Sequence, residues 1–211
     1  MRIVYVYLLD TMADWEHGYL LQALSLQSMA QKEKLIVQTI ARVKAPIKTA
    51  GGMTLVPDKT LAEVDIHSAA ALVLIGADTW LEKEQADILS LAAQFIENDI
   101  LVAAICGATL GLADKGLLDD RKHTSNASFF LKMSANYKGS DYYREELAVY
   151  DKGIITASSA GSLLWAKRII EQLDIYSDRT IGTWFDYFST GEPAYYGELV
   201  ASLQDEAKQQ I

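Results

Sequence analysis

The sequence predicts an α/β fold: a doubly wound, mostly parallel sheet with helices on both faces. Short apolar runs alternate with longer amphipathic segments, the links between them are short, and some runs are almost continuously apolar, as strands buried on both faces are. At 211 residues, half of them hydrophobic, the chain suits one domain with a sizeable core. No linker, repeat or low-complexity stretch divides it. Residues 1–211 therefore read as one unit, with a helical C-terminal extension from about residue 176.

The elements follow in order. "RIVYVYLL" (2–9) alternates as a first strand does, residues 16–31 carry apolar positions at helical spacing, and "KLIVQTIA" (34–41) is strand-like again. "VKAPIKTAGGMTLVPD" reads as a small hairpin turning at Gly51-Gly52. "AALVLIGA" (70–77) and "ILVAAI" (100–105) are the buried strands, each followed by a helix, at 82–98 and 107–116. "RKHTSN" suggests a further short strand. Residues 146–159 suggest two strands around a turn at Asp151 to Gly153, residues 159–174 a helix, and residues 177–211 helical segments broken near "TGEPAYYGE".

Composition excludes several functions. A formal net charge of -9 argues against a nucleic-acid-binding surface and against docking to anionic membranes. The N-terminus has one basic residue, an Asp at position 10 and no small-residue cleavage site, so it reads as a strand and not as a signal peptide. No apolar run approaches the roughly 18 residues a membrane helix needs, and a cytoplasmic location is expected. One cysteine rules out an intramolecular disulfide and any CxxC motif. Three scattered histidines give no metal-ligand spacing, and Gly51-Gly52 lacks the phosphate-loop pattern, so no metal and no cofactor are expected.

In open α/β sheets ligands bind at the carboxyl ends of the strands. Those ends here are "LLDTMADWE", "LIGADTW" and "AAICGAT". The last holds Cys106, at the turn from a strand into a helix. A cysteine inside an apolar run ordinarily packs as a small hydrophobe. At such a turn, however, the side chain is thrust out of the sheet and the helix start offers unpaired N–H groups. Those donors and the helix dipole are expected to stabilise a thiolate and lower its pKa.

"AAICGATLGLADKGLLDDRKHTSN" resembles the nucleophile-elbow region of the DJ-1/PfpI superfamily, related in fold to class I glutamine amidotransferases. "ADWE", "ALVLIGADTW" and "ELAVYDKGIITASSAGSLLWAKRIIEQL" are similar to further stretches of that family, in the same order, so the likeness runs from about residue 1 to 175. The resemblance implies a flavodoxin-like three-layer sandwich and a homodimer, in a subfamily often labelled intracellular protease/amidase. It implies that Cys106 is the reactive thiol and Glu16 its carboxyl neighbour, since a thiolate and a carboxylate that close do not both ionise cheaply. Gly76 would make a turn, and the N–H groups of Ala77 and Gly107 an oxyanion pocket. Asp14, Trp15, Asp78 and Trp80 would flank the substrate.

The base is the open position. Where some relatives carry His directly after the cysteine, this chain has Gly107, and the family's alternative His position falls on Asn126 when counted without gaps. His123 lies three residues earlier, so strand alternation points it to the opposite face unless a bulge intervenes. Both are retained as candidates. Three functions follow: a cysteine-dependent hydrolase, or a glyoxalase-like lyase, acting on a small amide, peptide or reactive carbonyl; a redox-responsive stress-protective protein; or a non-catalytic binding or chaperone-like dimer.

Overall fold

The computed structural model describes residues 2–31 and 35–208. Lys34, which opens the second predicted strand, and residues 209–211 of the predicted tail lie outside the described residues.

The main sheet comprises β1 (Arg2–Tyr7), β2 (Leu35–Ala41), β5 (Lys59–Thr60), β6 (Ala69–Leu74), β7 (Leu101–Ile105), β8 (Ala148–Asp151) and β9 (Ile154–Ala157), in the order β5-β2-β1-β6-β7-β9-β8. A separate two-stranded ribbon pairs β3 (Ile47–Lys48) with β4 (Thr54–Leu55). All pairings in the main sheet are parallel except β8 with β9, joined by a turn in which Lys152 and Gly153 take φ of 45° and 79°. From β1 the chain winds outward to β2, then returns to lay β6 on the other side of β1. The strand order therefore reverses between β1 and β6, and a crevice opens there at the carboxyl ends.

The apolar runs of β6 and β7 occupy the centre, where β7 is buried throughout and β6 is buried from Ala70 onward. α1 (Gly18–Ser25) packs with α5 (Ser162–Leu173) on one face. Right-handed crossovers put α2 (Ala86–Glu97) and α3 (Gly107–Asp114) on the other. Gly111 on α3 is the close-approach point there: a Cβ would meet Trp80 Cε3 at 2.7 Å and Leu89 Cδ2 at 3.3 Å. α6 (Asp178–Thr190) and α7 (Pro193–Lys208) are separated by Gly191 at φ 73° and started again by Pro193, the break anticipated at "TGEPAYYGE". Glu206 of α7 accepts hydrogen bonds from Ser177 N (2.9 Å), Ser177 Oγ (2.8 Å) and Thr180 Oγ1, clamping α7 to the start of α6.

"RKHTSN" forms no strand. β9, whose Thr156 it meets, is already paired on both sides, by β7 and β8. Its backbone is held instead by a single bridge from His123 to Tyr143 and by side chains: Lys122 N donates to Asp151 Oδ2 (2.7 Å) and Thr124 N to Thr156 Oγ1 (2.8 Å). The segment after it contains a one-turn helix that periodicity did not single out, α4 (Ser128–Leu131).

Candidate active site

β7 ends at Ile105 and α3 begins at Gly107, leaving one residue for the turn. Cys106 makes it at φ 54°, ψ −123°, a backbone region that a residue with a side chain rarely adopts. It is held there from both sides. Its N–H donates to Ala157 O at 2.9 Å, continuing the ladder to β9, while Thr109 N (3.1 Å) and Thr109 Oγ1 (2.6 Å) donate to its carbonyl. The half-buried thiol consequently projects into the crevice.

Three other segments converge on the sulfur. Glu16 arrives from the loop after β1 and is fully buried, its Oε2 accepting from Gly76 N (2.8 Å) and its Oε1 from Ser159 Oγ (2.7 Å). Gly76 lies between acid and thiol, and its missing side chain is what lets them meet. A Cβ there would stand 2.7 Å from Glu16 Oε2 and 3.0 Å from Cys106 Sγ. Asn126 donates from Nδ2 to Cys106 Sγ at 3.1 Å and accepts at Oδ1 from Ser159 N at 2.8 Å. Trp15 Nε1 donates to Ser159 Oγ at 3.2 Å. Ser159 thus joins the residue below the sulfur to the one above it. It follows β9, far from Glu16 in sequence, and read along the chain it signals only the opening of a helix.

The thiol's acidity runs against the expectation from the helix start. Burial pushes the Cys106 thiol above its ordinary value, the Asn126 amide opposes this, the Glu16 carboxyl pushes further up, and the Gly107 amide opposes again. Local donors are present, as the sequence suggests, but burial and a neighbouring carboxyl outweigh them.

A pocket of about 280 Å³ opens over the sulfur, its walls including Thr11, Trp15, Ala77, Asp78 and Phe130, with Glu16 and Asn126 at its inner edge. Phe130 comes from α4. Among the described residues the backbone N–H of Ala77 has no protein acceptor, and that of Gly107 is the first of its helix. The two peptide units are close neighbours, since a Cβ on Gly107 would meet Ala77 N at 3.0 Å. A backbone donor does not require the glycine that Ala77 replaces.

Other candidates lie elsewhere. His123 is fully buried, Nδ1 hydrogen-bonded with Arg121 O (2.8 Å) and Nε2 with Tyr137 Oη (2.7 Å), its ring edge-on to Tyr137 and Tyr143. Both nitrogens are engaged, it does not line the pocket, and burial holds it below its ordinary pKa. Trp80 is buried beneath the pocket with Nε1 donating to Ile75 O at 2.9 Å. Asp14 turns away to accept from Gly51 N at 2.6 Å, fixing the β3–β4 ribbon beside the site. Among the described residues no cluster could hold a metal ion, and no helix is long and apolar enough to cross a membrane.

The mostly parallel seven-stranded sheet with helices around it is the flavodoxin-like α/β fold of DJ-1/ThiJ proteins. The chain is a member of the DJ-1/PfpI family, whose sequence profile matches residues 2–172. It is 37% identical over 205 residues to the "uncharacterized protease YoaZ" of Bacillus subtilis (strain 168), covering 96% of this chain and 98% of that one. It is 30% identical over 174 residues to the "uncharacterized protease YdeA" of the same organism, covering 82% and 84%. Among solved structures it is similar to a thiJ/pfpI family protein from Bacillus anthracis, with a TM-score of 0.90 at 36% identity over 97% of this chain and 99% of the other. The DJ-1 superfamily protein Atu0886 from Agrobacterium tumefaciens gives a TM-score of 0.78 at 27% identity, over 91% and 100%. The family profile stops before α6 and α7, whereas the alignments to YoaZ and to the Bacillus anthracis protein span nearly the whole chain.

Proposed function

We propose that the protein is a cysteine-dependent enzyme of the hydrolase or lyase type, acting on a small carbonyl compound or amide. Cys106 is the nucleophile and Glu16 the group that carries its proton. The observation that carries this reading is the meeting of Cys106 and Glu16 across Gly76, with Asn126 on the sulfur's other side. The protease names of the two Bacillus subtilis relatives are consistent with nucleophilic chemistry at a carbonyl carbon.

The steps balance with these groups alone. The thiol proton passes to Glu16 as sulfur bonds to the carbonyl carbon, and the electron pair released from the C=O bond goes to oxygen. The N–H groups of Ala77 and Gly107 hold that oxygen. With an amide, Glu16 returns the proton to the departing amine and water then cleaves the thioester. With a 2-oxoaldehyde, Glu16 gives its proton to the hemithioacetal oxygen and then moves the proton on the hemithioacetal carbon to the neighbouring carbonyl. Water cleaves the resulting 2-hydroxy thioester to release the 2-hydroxy acid and the free thiol. The second route asks less, because no strongly basic leaving group must be expelled and no histidine stands at the sulfur.

Turnover of 2-oxoaldehydes, simple aldehydes, amides and short peptides by wild type and by Cys106→Ser tests the reading. Loss of turnover in Cys106→Ser on at least one class supports it. Undiminished turnover in that variant overturns it. Absence of any turnover, together with a sulfinic adduct on Cys106 at low peroxide, would replace it with the redox reading.

A further inference from the structure

We infer that the Cys106 pocket is selective by charge: it admits neutral and cationic substrates and rejects carboxylates, phosphates and other anions. The inference rests on Cys106 being the reactive group. Among the described residues the ionisable groups that line the pocket are Glu16, Asp78 and the thiol itself, and no Lys, Arg or His stands with them. Glu16 forms the buried end and Asp78 the exposed rim, so a substrate meets a carboxyl at entry and another beside the sulfur.

Two titratable neighbours on the loop that carries Trp15 and Glu16 add no positive charge. Asp14, adjoining Trp15, is held below the usual carboxylate range by hydrogen bonds from Thr49 and Gly51 and so stays anionic. His17, following Glu16, is held below its ordinary value by burial and stays neutral at pH 7 and above. The chain as a whole carries -9.

The hydrogen-bond donors that line the cavity carry no charge. Ala77 and Gly107 border it with one backbone N–H each, and the Asn126 amide is hydrogen-bonded to the sulfur and to Ser159. The remaining wall is aromatic: Trp15, 59% exposed, and Phe130. An indole face accepts a cation as readily as an apolar chain, and it offers nothing to a carboxylate. The bias is strongest at the buried Glu16 end, because charges repel more when less screened.

Thiosulfonates of similar size test this on the native protein. Methyl methanethiosulfonate is neutral, the 2-aminoethyl reagent cationic and the 2-sulfonatoethyl reagent anionic, and each rate constant is divided by that for the urea-unfolded chain. The normalised cation-to-anion ratio is expected to reach about tenfold or more at low salt and to shrink at high salt. Asp78→Asn should reduce it several-fold and Asp78→Lys should reverse its direction, with the neutral reagent's rate as the reference within each variant. A ratio near one in the wild type, while the neutral reagent reacts readily, overturns the charge selectivity and leaves Cys106's reactivity standing. A thiol inert to the neutral reagent overturns both.

Discussion

Asn126 donates its side-chain amide to Cys106 Sγ at 3.1 Å, whereas His123, three residues earlier on the same segment, is buried against Tyr137 on the other side of the chain. The residue that touches the sulfur is therefore an amide donor, which can stabilise a thiolate but cannot remove its proton. In the proposed reaction, proton transfer falls to Glu16.

Removing that donor should make the thiol less acidic. The Asn126 amide acts to lower the Cys106 pKa, so Asn126→Ala leaves burial and Glu16 less opposed and the thiol rises further. At pH 7.5 the alkylation rate with iodoacetamide should fall several-fold, because a smaller fraction of the thiol is ionised. An unchanged rate would show that the contact has no influence on the ionised sulfur.

Gly76→Ala should damage both stability and reactivity. The added methyl would lie 2.7 Å from Cys106 Cβ and from Glu16 Oε2, so the elbow or the acid must move. Overpacking of this kind costs about 1–3 kcal/mol, read as a lower midpoint in urea unfolding. Turnover should drop more than the folded fraction does, because the displaced atoms are the reacting ones.

The thiol also contributes to how stability varies with alkaline pH. Its folded-state pKa lies above the unfolded value of about 8.5. As pH rises, the unfolded chain loses its proton first. Stability from this group is therefore complete below that value and is lost as pH climbs from it toward the folded pKa. The difference in unfolding free energy between wild type and Cys106→Ser should narrow as pH rises from 8 to 10. A constant difference would contradict the direction of the shift.

Glu206→Ala should loosen the C-terminal helices without touching the site. It removes the acceptor for Ser177 N, Ser177 Oγ and Thr180 Oγ1 and leaves donors buried at the start of α6. Thermal unfolding should shift by the equivalent of about 2–4 kcal/mol, while the iodoacetamide rate of Cys106 stays that of the wild type.

The parts of this molecule legible in the sequence are those set by local patterning. The unbroken apolar runs of β6 and β7, the Lys152–Gly153 turn and the Gly191–Pro193 break each follow from residue type at short range. Counting from Cys106 brings Asn126 to the sulfur, and alternation turns His123 away, even though the segment is not a sheet strand. The bridge to Tyr143 keeps it extended all the same. What escaped depends on distant segments meeting. Ser159 matters because β9 ends beside Glu16. Trp80 is buried, not at the mouth, because Gly107 and Gly111 leave room for its ring and Ile75 O takes its N–H. The thiol's upward shift comes from burial and Glu16, neither of which the helix start encodes.

The pairing of Cys106 with Glu16 is tested most directly by the pH dependence of iodoacetamide alkylation in wild type and Glu16→Gln. Glutamine keeps the shape and an acceptor for Gly76 N, and it removes the carboxyl that raises the thiol. The alkylation midpoint should lie above the ordinary thiol range in the wild type and move down in Glu16→Gln, so that the variant is alkylated faster at pH 7.5 while its turnover falls by about 100-fold or more. A midpoint that does not move, or a variant that turns over substrate as fast as the wild type, would contradict a coupled thiol and carboxyl at this site.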